Sequence, residues 1–264
     1  MEMSLEQYIL NPALKTNAIL NATTRELIKK SYQTKFNNIM LRENGKVTYY
    51  LFTQGTNVFW AYIKVPSEVV HNFYYDVIFK FTPTNNTGFF EDLFKFNVRF
   101  FSNDPNFVFT FAYVFKDKDL FIDELTSRMS KEALTKHPEE KNPTEVIGYE
   151  KAIYFAYLIM KERKLNRLLK FKGEATPLDT KFLLQNITHA DDKIKEREEE
   201  GKKYSKKKKA VISKEVAKNL SSFLNKEGKA KLATSNIKVT GNTKRIPTIT
   251  RANSIKITKK SPKK

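Results

Sequence analysis

The chain has 264 residues with 48 Lys+Arg against 29 Asp+Glu, and the excess is not spread evenly: residues 1–200 hold 28 cations and 27 acids, residues 201–264 hold 20 and 2. A nearly neutral body therefore precedes a strongly basic tail, and the 40% apolar, 13% aromatic composition is ample for one sizeable core. With no cysteine, disulfide frameworks and thiolate-ligated zinc or iron–sulfur sites are excluded.

The N-terminal MEMSLEQYILNPALK lacks the basic-then-apolar pattern of a secretory signal. No run approaches the length of about 18 apolar residues that spans a bilayer; AIYFAYLIM at 152–160 is half that. In chain order, the first predicted element is an amphipathic helix over 23–44. Leu27, Ile28, Tyr32, Phe36 and Ile39 or Met40 form its stripe, Thr23 and Glu26 its capping box, and Asn44-Gly45 its stop.

From Val47 the apolar period changes to two. Strands are expected over 47–53, 57–65, 74–82, 94–100 and 106–115, the last two joined as a hairpin through the turn formers Ser102, Asn103, Asp104 and Pro105. In 106–115, Phe107, Phe109, Phe111, Tyr113 and Phe115 alternate with Val108, Thr110, Ala112 and Val114, as in a strand buried on both sides. Seventeen of the 21 phenylalanines lie between Phe36 and Phe121, and they read as core. The stretch to watch as a stacking surface is Phe94, Phe96 and Phe100 opposite Lys95 and Arg99.

Two helices are expected next, an acidic one over about 119–136 and a longer one from Asn142-Pro143-Thr144-Glu145 to about Leu169. The apolar first half of the longer helix should pack on the sheet, and its basic second half, KERKLNRLLKFK, should emerge. Residues 190–209 run from acidic to basic, as in a solvated helix interrupted at Gly201. A short amphipathic helix over 213–226 follows, and the last 28 residues carry isolated Ile and Val without a stripe, too little to offset ordering entropy in isolation.

The expected fold is α+β: an antiparallel, aromatic-rich sheet, as a sandwich or open barrel, flanked by helices and followed by an extended basic C-terminal arm. The organisation is a body over 1–173, a charged helical linker over 174–200 and the arm over 201–264.

The eight glycines, no two closer than ten residues, exclude the Walker A loop, the dinucleotide-binding Gly-x-Gly-x-x-Gly and the Gly-x-Ser-x-Gly elbow. His71, His137 and His189 have no second histidine at metal-ligand spacing, and His189 beside Asp191 and Asp192 reads as solvated surface. Glu91-Asp92 and Asp123-Glu124 are carboxylate pairs of the kind any charged protein contains. No catalytic residue, metal ligand or cofactor is expected. The arm is the positive signal, a polyelectrolyte suited to phosphates without sequence readout. Its candidate nucleic-acid contacts are Lys202, Lys203, Lys206, Lys207, Lys208, Lys209, Lys244, Arg245, Arg251, Lys259 and Lys260. Extended, it reaches up to roughly 200 Å, and IPTITR (246–251) and SIKIT (254–258) suit strand addition to another subunit's sheet.

VRFFSNDPNFVFTFAYVF (98–115) followed by IGYEKAIYFAYLIMKERKL (147–165) resembles the body of minor virion proteins of tailed bacteriophages with AT-rich genomes, over about residues 10–170. The resemblance carries no catalytic or metal motif. It implies a non-enzymatic virion structural protein, assembled in the host cytoplasm without a membrane. Its body would dock on other virion subunits or on itself through the sheet edge and the apolar half of the 143–169 helix, and its arm would lie along packaged DNA or thread across adjacent subunits. The alternatives are a free intracellular DNA- or RNA-binding protein acting in replication, packaging or transcription, and a metal-dependent nuclease.

Overall fold

The computed structural model describes residues 2–10, 22–84, 92–143 and 145–203, with side chains from Glu26 onward in the second span; all lie in the unit Met1–Ser213. The 213–226 helix, and the arm beyond Lys203, lie outside the described residues.

Helix α1 spans Leu5–Leu10 and α2 Ala22–Arg42. As its stripe predicts, α2 buries Phe36 and Ile39, but Leu27 is 62% exposed. The helix stops at Asn44 and Gly45, with φ of 51° and 68°, where the Gly45 N–H donates to Met40 O at 2.8 Å. That left-handed ending is the one glycine adopts without a Cβ penalty.

Strands β1 (Thr48–Gln54), β2 (Val58–Pro66), β3 (Tyr74–Thr82) and β4 (Asn97–Ser102) form an antiparallel meander in the order expected, and a two-residue β5, Thr176–Pro177, pairs parallel with β1. The described strands make one mixed sheet, not two facing layers. Helices cover it on both sides, which is why β2 and β3 are buried at successive positions. On one face Phe59 meets Phe171, and Phe79, Phe100, Phe115 and Tyr8 form a chain of tilted and edge-on ring contacts. On the other face Tyr50 and Tyr62 pack together, and Phe182 packs on Tyr50 and Phe52.

The expected fifth strand is helical. The segment 105–117 begins with two helical residues, widens into a π-helix over Phe107–Phe111 and continues as α3, Ala112–Asp117. Its start is a cap: Asp104 Oδ1 accepts from Asn106 N at 2.7 Å, and Pro105 occupies the first helical position. An alternation of period two also places residues four apart, so Phe107, Phe111 and Phe115 share the buried side while Phe109 is left 56% exposed. There is consequently no 94–115 hairpin, and Leu93–Lys95 is a single 3₁₀ turn before β4.

The later helices also differ from expectation. Residues 119–136 form a 3₁₀ turn, Asp123–Arg128, and a short α4, Lys131–Thr135. Asn142 caps a loop instead of a helix, bonding Val146 N and O and Thr110 O. Helix α5, Lys151–Glu162, starts at Glu150, whose carboxyl oxygens accept from Ala152 N and Ile153 N. It ends at Lys164, φ 56°, and α6, Leu168–Glu174, follows after a turn. Helices α7, Thr180–Asn186, and α8, residues 190–203, complete the described chain, with α8 running through Gly201 without interruption.

These placements alter the expected docking surfaces. Residues 120–122 run along β4, with Phe100 N donating to Leu120 O and Ile122 N to Phe100 O, while Val98 N donates to Met3 O. The β4 edge is thus occupied from within the chain. The apolar half of the 143–169 segment is buried in this molecule's own core, Ala152, Ile153, Phe155, Ala156, Ile159 and Met160 each being at most 2% exposed.

Candidate nucleic-acid interface

Of the eleven cationic residues singled out in the sequence, only Lys202 and Lys203 lie within the described residues. Both are exposed at the end of α8. Lys203 Nζ sits 2.7 Å from Glu200 Oε1, and this hydrogen bond raises the lysine's pKa. Lys206, Lys207, Lys208, Lys209, Lys244, Arg245, Arg251, Lys259 and Lys260 lie outside the described residues.

The body carries a second basic surface, in the segment expected to form the end of a long helix. Residues 161–172 contain six cations and one acid. Two anchors decide their orientation: Leu165 and Phe171 are both fully buried. The break between α5 and α6 is fixed by Leu165 N donating to Met160 O at 2.8 Å and Lys164 N to Lys161 O at 3.0 Å. With the two apolar side chains turned inward, Lys161, Arg163, Lys164, Arg167, Lys170 and Lys172 all lie exposed, together with Leu169 at 81%.

Several of these cations are already oriented. Arg163 donates to Gly45 O and Lys170 to Arg163 O, each at 2.5 Å. Lys172 lies 5.4 Å from the Phe59 ring centre and Lys161 5.9 Å from that of Tyr157. Lys164 and Arg167 make no ion pair among the described residues. The nearby acid Asp92 is engaged elsewhere, its Oδ1 accepting from Phe94 N at 2.9 Å and from Asn166 Nδ2 at 3.2 Å. A row of exposed cations with spare donors, two of them held by backbone carbonyls, offers contacts to phosphate oxygens.

The remaining polar chemistry is taken up by the fold. Phe94, Phe96 and Phe100 are at most 7% exposed, so they are core and not a stacking platform. Arg99 pairs with Asp119 and Asp123, and Lys80 with Glu124. Asp76, 1% exposed, accepts from Tyr62 OH (2.7 Å), Lys64 Nζ (3.1 Å), Asn103 Nδ2 (2.8 Å) and Thr188 N (3.0 Å). This network ties β2, β3 and the end of β4 to the turn that launches α8.

Burial, reinforced by nearby Asp104, pushes the Glu150 carboxyl up to about 8, and burial raises Asp104 as well. Tyr8 OH links these parts, donating to Gly148 O at 2.9 Å and accepting from Glu150 N at 3.1 Å. His137 meets Glu145 at 3.1 Å, and His189 Nδ1 accepts from Asp191 N at 3.3 Å. Among the described residues no three His, Cys, Asp or Glu side chains converge on a metal-sized site, and no helix is long and apolar enough to cross a membrane.

The chain matches no family model, no curated protein and no solved structure.

Proposed function

We propose that this chain is a non-enzymatic structural and assembly protein that contacts nucleic acid through its basic C-terminal arm, the body serving as the folded mount for that arm. The observation that carries this reading is the charge partition, 20 cations against 2 acids in residues 201–264 beside a body that is almost balanced. Such a segment neutralises phosphates and releases counterions regardless of sequence. The resemblance to minor virion proteins supplies the setting, a phage particle in which the arm lies along packaged DNA or threads across adjacent subunits. With the β4 edge and the apolar side of α5 used internally, docking on neighbours falls to other surfaces of the body.

The test is to count the protein in purified particles by quantitative mass spectrometry. A fixed copy number, with loss of assembly or of retained DNA when residues 204–264 are deleted, is the expected result. Absence from particles would refute the structural reading. The runner-up, a free DNA- or RNA-binding protein, is favoured by the exposed cations of 161–172, which need no particle to meet a phosphate backbone.

A further inference from the structure

A second surface has the opposite character. The π-helix and α3 on one side and α4 with residues 136–141 on the other enclose an open groove of about 480 Å³. Its floor is apolar and includes Val108, the half-buried Tyr113 and Ala133, and Phe109. Phe109 is one of the large hydrophobic side chains this body leaves exposed, at 56%. Phe109 lies within the π-helix, a distortion that recurs at functional sites.

The rim is acidic on balance. Glu132, Glu139, Glu140 and Asp191 line it against Lys136 and Lys141. Glu132, Glu139 and Glu140 are exposed, and none makes an ion pair among the described residues. His137 is already committed, ring to ring with Tyr113 and bonded to Glu145. An aromatic floor under unpaired carboxylates fits a segment that brings both apolar side chains and cations, since Lys and Arg can lie over the rings while facing the acids.

We infer that this groove receives the arm of a second copy of the chain, through residues 246–260. That stretch, IPTITRANSIKITKK, holds four isoleucines and four cations with no acid, matching the groove in both respects. The lysine run 206–209 has the charge without the apolar side chains and is left for phosphate. Reach is not limiting: the 61 residues beyond Lys203 extend up to roughly 200 Å. The inference rests on the reading that the arm threads across neighbouring subunits, and it names the surface that the thread meets.

A charge exchange in the full chain tests it by sedimentation at low salt. The wild type should gain mass with concentration. Glu139→Lys with Glu140→Lys should abolish that gain, as should Arg251→Glu with Lys256→Glu, Lys259→Glu and Lys260→Glu. An equimolar mixture of the two variants should associate again, because each arm then faces a groove of opposite charge. Phe109→Ser should weaken association in the wild-type background without changing the charge. Association unaffected by the groove variants, or a mixture that stays monomeric, would overturn the inference. Duplex DNA binding of the groove variant, followed in parallel, separates this from the broader reading: unaltered association with retained, arm-dependent DNA binding sinks the groove and leaves the phosphate-contacting arm standing.

Discussion

Replacing Asp76 by Ala tests whether the buried polar network holds the C-terminal helices to the sheet. The carboxylate is 1% exposed and takes four donors, and their fates differ when it is removed. Lys64, its side chain 29% exposed, turns to water. Tyr62 OH keeps Asn186 O at 2.8 Å and Asn103 Nδ2 keeps Thr188 O at 3.1 Å, but Thr188 N loses its acceptor. Because Lys64 finds water, no buried charge is left uncompensated, and the cost is that of the buried donor left without an acceptor together with the lost charged hydrogen bonds, about 2–3 kcal/mol. In a body of this size that corresponds to a fall of about 7 °C in Tm. Asp76→Asn, which keeps one carbonyl acceptor but turns an amide toward existing donors, should lose about half as much. The assay is urea denaturation, with amide exchange followed in α8. Because Thr188 N is the bond that fails outright, α8 should lose protection before β2 and β3. A loss below about 1 kcal/mol, or uniform loss of protection, would refute the reasoning.

Glu150 is protonated more readily in the folded chain than its ordinary value of 4.5 allows, at about 8. The folded state therefore holds the extra proton between those values, and stability should fall as pH rises through that window, by up to about 1.4 kcal/mol per pH unit. Glu150→Gln should flatten the curve of unfolding midpoint against pH, and an unchanged slope would contradict the assignment. Tyr8→Phe removes the hydroxyl that joins Gly148 O to Glu150 N and should cost about 1–3 kcal/mol in denaturant titrations. Lys164→Glu combined with Arg167→Glu should weaken duplex binding and lower the salt slope by about 2, on the order of one unit per lost phosphate contact. These positions are exposed, so thermal stability should stay within about 0.5 kcal/mol of wild type.

The meander over 48–82 was legible because its strands are short runs rich in aromatic and β-branched residues and their turns are punctuated by TQGT and PSEVVHN. Residues 106–115 were not, because phenylalanines two apart are also four apart, and only tertiary packing decides between the periods. The signal that favours helix was present in Asp104-Pro105, which serves equally as a turn and as a cap. The α5 start was hidden because an acidic side chain can cap a helix from Glu150 as well as Asn can from position 142. Its end was hidden because Lys164 adopts positive φ without a glycine to announce it. At the interface, the arm was visible as composition alone. The body's basic row was visible as six cations in twelve residues, but its exposure depends on Leu165 and Phe171 turning inward, which periodicity did not resolve.

The measurement that tests the central claim most directly is binding of labelled duplex DNA across a salt series, by the full chain and by a chain ending at Lys203, which preserves α8. If about 10 arm cations meet phosphates, they contribute about −9 in log affinity against log salt, and with the 161–172 row the full chain should show a slope near −11. The shorter chain should retain only the shallow dependence of the 161–172 row, about −2. Equal slopes for the two chains, or no binding by the full chain at low salt, would contradict the assignment of the arm to nucleic acid.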